Sequence, residues 1–293
     1  MDVRLAAPAM LIAGTSNPAT ARETPGGVGR NVAAVLASLG AHVSLASRLG
    51  GDATGDALRT DLQVLGVDAT FVQRQPGAAS ARYWAVLQPT GDLALGLSEM
   101  AVIEALTPAD LDPAIGRPAD AWFIDANLPD PCIAYLLDHG QRPPLVAVDT
   151  VSVSKARKLW GGLGKIDLLV TNEAEAVVLC GAADVRRLVV SGAGAVVMGR
   201  GAAGLELGDA TGLVRLDPLP VVPSDVTGAG DALAAATLFA RLHGLELPEA
   251  ARIGRLAATC EIAGVSQPGV ADLRQAALRF DNGAHADLAR LQS

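Results

Sequence analysis

The chain carries the stretch Asp225-Val226-Thr227-Gly228-Ala229-Gly230-Asp231, which leads directly into the apolar segment 232–242. Small residues at 228–230 allow the backbone to turn tightly where a helix begins. The N–H groups of residues 228–231 would then point at one spot, backed by the positive end of the helix dipole, and form an anion cradle. Asp231 would lie in the first turn, where its carboxylate can accept a proton from a hydroxyl group.

A simpler interpretation of this stretch is that Asp231 only caps the helix and that the glycines only serve a tight turn. The presence of Asp225 and Thr227 just ahead of Gly-Ala-Gly favours the anion cradle.

The segments on either side alternate between strand and helix patterns, which is typical of a largely parallel sheet. Strands are predicted at 43–46, 120–125, 145–149, 166–170 and 194–198, and a hairpin at 204–207 and 213–216. Helices are predicted from about 28 to Leu39 and at 53–65, 130–139, 152–160, 173–180, 229–243, 247–264 and 270–280.

Residues 69–99 break this alternation and contain strand patterns separated by a Pro-Thr-Gly-Asp turn at 89–92. Together with a strand predicted at 3–12, they could form a small antiparallel sheet. We expect one domain over residues 1–293, with a lid formed by about 3–20 and 69–99.

Composition and charge exclude several classes of protein. Of 293 residues, 50% are hydrophobic and 3% aromatic, and the net charge of −8 argues against a general nucleic-acid binder. The longest apolar stretch, 188–199, is interrupted by glycine and serine and is too short to span a bilayer. The N-terminus lacks a signal-peptide pattern, and the scattered Cys132, Cys180 and Cys260 form no disulfide framework. We therefore expect a cytoplasmic protein without nucleic-acid or membrane partners.

Two further segments could carry chemistry. Pro25-Gly26-Gly27-Val28-Gly29-Arg30-Asn31 precedes a helix, but it matches neither a dinucleotide fingerprint nor a Walker P-loop, and alone it could equally be a structural turn. Asn172-Glu173-Ala174-Glu175 opens a helix after a strand, where open α/β sheets bind ligands. Glu175 could hold Mg²⁺ through water, or these acids could simply complement the helix dipole.

Together these segments resemble the PfkB (ribokinase-like) carbohydrate kinase family over essentially the whole chain. Gly26-Gly27 with Asn31 is similar to its sugar-binding signature, and Asn172-x-x-Glu175 to its Mg²⁺/phosphate motif. The 225–231 stretch resembles its C-terminal signature, and Gly201-Ala202-Ala203-Gly204 resembles the Gly-x-x-Gly beside the nucleotide. Within the family, Ser16-Asn17-Pro18, the run 24–31 and Val148-Asp149-Thr150-Val151-Ser152 are similar to pseudouridine kinases.

The resemblance implies an α/β fold: a ribokinase-like doubly wound sheet flanked by helices, with a small β-sheet lid that often forms a homodimer contact. Family members begin with a buried strand that has no counterpart ahead of Met1-Asp2. We therefore expect the first core strand to be missing.

The implied activity is ATP-dependent phosphorylation of the 5′-hydroxyl of pseudouridine. Asp231 would be the base, and the N–H groups of Gly228, Ala229 and Gly230 would stabilise charge on the phosphoryl group. The remaining implied roles fall into four groups: Asp2, Gly26, Gly27 and Asn31 for the ribose; Ser16, Asn17 and Asn127 for the base ring; Asn172, Glu175, Gly201, Gly204 and Thr227 for ATP; and Glu175 for Mg²⁺, with Asp225 for K⁺.

Other functions remain open at this point. The same chemistry could act on ribose or another nucleoside, or the chain could be a degenerate nucleoside-binding protein without turnover. The intact Asp231 motif weighs against a pure binder, which needs no base. A NAD-linked oxidoreductase is disfavoured because the glycine fingerprint is wrong.

Overall fold

The computed structural model describes residues 1–222 and 226–265, together with Leu273 and Gln275. Its strands are β1 (Asp2–Ala6), β2 (Thr20–Thr24), β3 (Ser47–Gly50), β4 (Val72–Gln75), β5 (Arg82–Leu87), β6 (Leu93–Glu99), β7 (Ala121–Asp125), β8 (Leu145–Asp149), β9 (Leu168–Asn172), β10 (Ala195–Gly199), β11 (Leu205–Asp209) and β12 (Gly212–Leu216).

The α-helices are α1 (Val28–Ser38), α2 (Ala53–Val64), α3 (Ala101–Glu104), α4 (Asp112–Ile115), α5 (Asp130–Asp138), α6 (Val153–Ala156), α7 (Glu173–Cys180), α8 (Val185–Val190), α9 (Ala229–Leu242) and α10 (Leu247–Ala263). Short 3₁₀ turns cover Pro108–Asp110, Arg157–Leu159, Leu163–Lys165 and Gly201–Ala203. None of the described helices has both the length and the hydropathy needed to cross a membrane. The helix predicted at 270–280 lies largely outside the described residues.

The main sheet has six strands in the order β12-β11-β10-β9-β8-β7. Strands β7 to β10 are parallel, and β10 to β12 continue as antiparallel neighbours. Strand β8, which lies between β7 and β9, is a Leu-Val-Ala-Val run with buried residues at 146–148, as a parallel strand covered on both faces requires. The parallel arrangement brings Asp125, Asp149 and Asn172 to the same edge, because each ends its strand.

Helices cover both faces of this sheet. One apolar layer contains Leu233 and Leu238 of α9 with Leu256 of α10, and the other contains Ile133 of α5 with Leu188 of α8. Alanine is frequent where α9 packs against α10, which lets the two helices approach closely. The doubly wound, ribokinase-like sheet predicted from the sequence is confirmed.

A second sheet has four strands in the order β2-β1-β5-β6. The prediction of a purely antiparallel sheet is wrong, because β1 and β5 pair in parallel. The predicted strand 3–12 ends at Ala6, just before Pro8, which has no N–H to donate to a neighbouring strand.

Two strand predictions near residues 43–73 are also wrong. The strand predicted at 43–46 begins four residues later, as β3. Within the predicted range, Ser44 forms an isolated bridge with Asp68. The first strand of the segment 69–99 is β4, which pairs with β3 in a separate parallel sheet and not with the four-stranded sheet, where the small antiparallel sheet was predicted. Parallel pairing between distant segments leaves no local turn pattern from which the register could be predicted.

Candidate active site

Helix α9 begins at the turn predicted from the Gly-Ala-Gly stretch. Gly228 adopts a left-handed conformation (φ 81°) just before the helix, and Asp231 lies in the first turn. The first-turn N–H groups of a helix have no acceptor within the helix, so an anion placed there gains hydrogen bonds and the dipole. Glu261 of α10 lies behind this turn, because a Cβ at residue 228 would be 3.2 Å from its Oε1.

A hydrogen-bond chain holds the Asp231 carboxylate in place. The Nδ2 of Asn31 donates to Oδ2 of Asp231 at 2.7 Å, and Arg30 donates to Oδ1 of Asn31 at 3.1 Å. Arg30 is itself paired with Asp61 at 2.6 Å. The start of α1 therefore orients the carboxylate at the start of α9.

Burial raises the pKa of Asp231 to about 7, and the neighbouring carboxylates of Asp125, Asp2 and Glu261 act in the same direction. The hydrogen bond from Asn31 opposes this shift. A carboxylate with a pKa near neutrality is suited to take a proton from a hydroxyl group at physiological pH.

Gly26 packs closely against the side chain of Asp2, the first residue of β1 in the four-stranded sheet. Gly26 is buried, and an ideal Cβ there would lie 2.2 Å from the Asp2 carboxyl group. Burial raises the pKa of Asp2, against the lowering effect of the N-terminal ammonium group, Arg4 and Arg30. Gly27, at φ 103°, precedes α1 in a conformation that favours glycine.

These groups surround an open cleft of about 290 Å³ between the four-stranded sheet and the starts of α1 and α9. Of the residues predicted for the site, the cleft lining includes Asp2, Asn31, Thr227, Gly228 and Asp231. It also includes residues for which the sequence analysis assigned no role: Arg4, Arg22, Thr24, Pro25, Arg30, Ala34, Val35 and Glu261.

Ser16 and Asn17 lie in the loop between β1 and β2 and do not line this cleft. The Asn17 side chain accepts from the N–H of Ile12 at 2.8 Å and donates back to its carbonyl at 2.9 Å, so it closes its own loop. The Asn127 side chain accepts a hydrogen bond from Lys155.

Asn172 and Glu175 form a reciprocal cap at the start of α7. Each accepts a hydrogen bond from the other's backbone N–H, at 3.0 and 3.2 Å. The buried Glu175 carboxylate also accepts from the Thr150 hydroxyl. This carboxylate lies at the carboxyl edge of the main sheet, two strands from Asp125.

Asp149 was missed as a site residue, although its place at the end of β8 could have indicated it. Burial raises its pKa to about 8, and the carboxylates of Asp231, Glu175 and Asp125 add to the effect. It accepts from the N–H of Val151 at 2.7 Å. Val151 has φ 62°, rare for a β-branched residue, and its flanking residues close a tight turn with a 2.7 Å hydrogen bond.

Lys155 of α6 is a second omission, because no sequence motif surrounds it. Its ammonium group donates to Oδ1 of Asn127, and burial lowers its pKa while nearby Asp125 opposes the shift. Asp125 accepts from the N–H of Gly29 at 2.8 Å and from the N–H of Asn127 at 2.8 Å. A cation is therefore placed beside the carboxylates at this edge.

Gly201 and Gly204 flank the turn after β10, whose last residue Gly199 pairs with Asn172 of β9. Gly204 is left-handed, and a Cβ there would lie 2.2 Å from the carbonyl oxygen of Leu216. The glycine thus permits close packing of the hairpin beside the Asn172 edge. Asp225 lies outside the described residues.

Replacing Gly26 by alanine is expected to raise the substrate KM about tenfold, because the new methyl group displaces the Asp2 carboxylate. The change in kcat should be smaller, since Asp231 is not touched. Steady-state kinetics of Gly26→Ala against Gly140→Ala checks this, because an exposed Cβ at residue 140 meets no atom within 4 Å. An unchanged KM would show that the Asp2 position is irrelevant to binding.

The sequence pattern of the pfkB family carbohydrate kinases matches residues 2–268. The chain is 32% identical to the pseudouridine kinase of Escherichia coli (strain K12) over 263 residues, covering 84% of this chain and 83% of that protein. A carbohydrate kinase from Agrobacterium tumefaciens has a similar structure, with TM-score 0.78 and 32% identity over 94% of this chain and 93% of that one. An E. coli structure described as ribokinase II in complex with ATP and Mg²⁺ has TM-score 0.80 at 16% identity, over 95% and 96% of the two chains. The chain therefore belongs to the pfkB family of carbohydrate kinases and is an ATP-dependent sugar or nucleoside kinase.

Proposed function

We propose that this kinase transfers the γ-phosphoryl group of ATP to the 5′-hydroxyl of pseudouridine, giving pseudouridine 5′-phosphate and ADP. The observation that carries the transfer chemistry is Asp231, held by Asn31 at a helix start with its pKa near 7. The choice of pseudouridine is supported by the 32% identity to the E. coli enzyme.

In the proposed reaction, Asp231 accepts the proton of the attacking 5′-hydroxyl group. The hydroxyl oxygen forms a bond to the γ-phosphorus while the bond from that phosphorus to ADP breaks and ADP leaves. The N–H groups of Gly228, Ala229 and Gly230 stabilise charge on the transferred group. Asp2 and Asn31, with the backbone at Gly26 and Gly27, hold the ribose hydroxyls. Positioning and electrostatics therefore account for most of the catalysis.

Mg²⁺ would neutralise charge on the ATP phosphates. Among residues 1–222 and 226–265, no group of three His, Cys, Asp or Glu side chains is arranged to hold a metal alone. This suits an ion held mainly by phosphates and water, with Glu175 and Asn172 orienting the waters. ATP would lie near Gly201 and Gly204, and K⁺ near Thr227 and Asp225.

We also propose a homodimer through the outer face of the four-stranded sheet. Leu95 pairs with Val86, and Leu97 with Trp84, so these apolar side chains share the face opposite the cleft. Both leucines are about half exposed, at 52% and 51%. A partner of the same chain would cover them.

The test measures kcat/KM for pseudouridine, uridine, adenosine and ribose under one set of conditions, by following ADP formation. Pseudouridine is expected to give the highest value. A higher value for ribose or adenosine would overturn the proposed substrate and leave the kinase assignment intact. Parallel assays with EDTA, and with K⁺ replaced by a large organic cation, should show loss of activity in the first case and a lower rate in the second.

A further inference from the structure

Asn127 lies in the turn that follows β7, and the backbone of this turn is held from two sides. The N–H of Asn127 donates to Oδ1 of Asp125 at 2.8 Å. The ammonium group of Lys158 donates to the carbonyl oxygens of the two neighbouring residues, 126 and 128, at 3.1 and 2.8 Å. The Asn127 side chain therefore starts from a fixed point at the carboxyl edge of the main sheet.

Lys155 fixes which end of the Asn127 amide it faces. Its ammonium group donates to the amide, and an ammonium group has donors only, so the atom that it contacts must be the carbonyl oxygen Oδ1. Asp125 is near enough to act on the pKa of Lys155, but no carboxylate in the described part of the chain forms an ion pair with this lysine. The contact with the neutral amide is thus the one that the lysine makes, and it turns the NH2 group of Asn127 away.

This NH2 group has two N–H donors to offer. None of the described residues accepts a hydrogen bond from it, and the Asn127 side chain is only partly buried. The positive charge of Lys155 behind the carbonyl oxygen polarises the amide and strengthens the donors on its other side. An oxygen acceptor brought by a ligand would satisfy them, whereas an N–H group of a ligand would not.

The turn of Asn127 is joined to the helix start that orients the catalytic carboxylate. The N–H of Gly29 donates to Oδ2 of Asp125 at 2.8 Å, and a Cβ at residue 29 would lie 3.0 Å from the same oxygen. Two residues later in α1, Asn31 donates to Asp231. A substrate bound beside Asp231 therefore lies at the same edge of the main sheet as the Asn127 donors.

We infer that Lys155 determines substrate specificity by holding the Asn127 amide so that its NH2 group donates to a ring carbonyl oxygen of the nucleoside. The inference rests on the proposed function and deepens it, because it names the base feature that is recognised. Asn127 does not line the cleft where Asp2 and Asn31 are proposed to hold the ribose hydroxyls, so it would serve a part of the substrate beyond the ribose. Lys155 is a positioning residue, because it acts through Asn127 and not on the substrate.

The test measures dissociation constants by calorimetry, without ATP, for pseudouridine, uridine, ribose and ADP. Lys155→Met is expected to weaken binding of the nucleosides about fivefold, because the amide is then free to turn its carbonyl oxygen towards them. Asn127→Asp keeps the contact with Lys155 but replaces the donors by an acceptor, and should weaken their binding about tenfold or more. The matched control is Lys165→Met, which removes an ammonium group paired with Asp138 ahead of β9. It should match the wild type with every ligand, and no variant should change the binding of ribose or ADP.

A double variant separates positioning from direct contact. If Lys155 acts through Asn127, Lys155→Met should have no further effect on nucleoside binding in an Asn127→Ala background. An equal loss in both backgrounds would overturn the inference, and so would a loss for ribose or ADP as large as that for the nucleosides. Wild-type affinity of Asn127→Asp would overturn it as well. The comparison in the Asn127→Ala background decides the matter if Asn127→Asp does not fold.

The inference and the proposed function can fail separately, because phosphorylation is measured beside binding. Binding of pseudouridine or uridine that depends on Asn127, without phosphorylation of pseudouridine, would support the inference and refute the proposed function. Phosphorylation of pseudouridine with the same kcat/KM in Lys155→Met as in the wild type would refute the inference and leave the proposed function in place.

Discussion

Replacing Asp231 by asparagine is expected to lower kcat by about 100-fold to 10,000-fold, because the amide keeps the shape of the side chain and cannot take up the hydroxyl proton. Substrate KM should change little, since Asp2 and the backbone at Gly26 remain in place. The matched control is Asp130→Asn, which removes an exposed carboxylate from the first turn of α5, outside the cleft. A kcat close to that of the wild type would exclude Asp231 as the base.

Because the pKa of Asp231 is raised, its role can also be tested by two further measurements. In the wild type, kcat should rise with pH up to about 7 and then level off, because the active form is the carboxylate. The profile of the asparagine variant should lack this step. The pKa of Asp231 is about 3.9 in the unfolded state and about 7 in the folded state. At a pH between these two values, the folded state holds a proton that the unfolded state has lost, so the stability that depends on this group falls as pH rises. The variant should therefore have a higher Tm than the wild type at pH 8, with the difference shrinking towards pH 4.

Replacing Gly254 by alanine is expected to lower the free energy of unfolding by at least about 2 kcal/mol. An ideal Cβ at this position of α10 would lie 2.1 Å from Oγ1 of Thr237 and 2.7 Å from the carbonyl oxygen of Leu233, both in α9. Alanine normally stabilises a helix interior by about 0.5–1 kcal/mol relative to glycine, so crowding reverses the expected sign. Activity should fall too, because α9 carries Asp231 two residues before Leu233.

Urea unfolding and Tm measure this effect, with Gly161→Ala as the control because a Cβ there meets no atom within 4 Å. Thr237→Ala in the Gly254→Ala background should restore part of the loss, since it removes the nearest crowded atom. Unchanged or higher stability of Gly254→Ala would mean that α9 and α10 can separate at no cost.

The parts of the fold that sequence could predict are those with a local signal. The apolar run at 145–149 and the small residues before Asp231 indicate a buried strand and a helix start without reference to the rest of the chain. The pairing of β1 with β5 joins residues about 80 positions apart and has no such signal. The positions of β3 and β4 were predicted wrongly for the same reason, because the register of each strand depends on a parallel partner distant in sequence.

The residues of the candidate site also differ in whether the local sequence indicates them. Asp231 and Gly26 follow from motifs, whereas the bond from Asn31 to Asp231 spans 200 residues and becomes visible only in the folded chain. The pairing of Arg4 with Arg22 across β1 and β2 also depends on strand register. Nothing in the local sequence around either arginine indicates the other. Lys155 lies on a four-residue helix, and its hydrogen-bond partner Asn127 comes from the turn that follows β7.

The turn at Val151 has a consequence for any attempt to make the enzyme more robust. A β-branched residue at φ 62° costs on the order of 1–3 kcal/mol, and glycine would remove most of that cost. The same turn, however, aims a backbone N–H at the Asp149 carboxylate, among the acidic groups next to Asp231. Selection for heat resistance at this one position would therefore act on the turn that orients the Asp149 carboxylate.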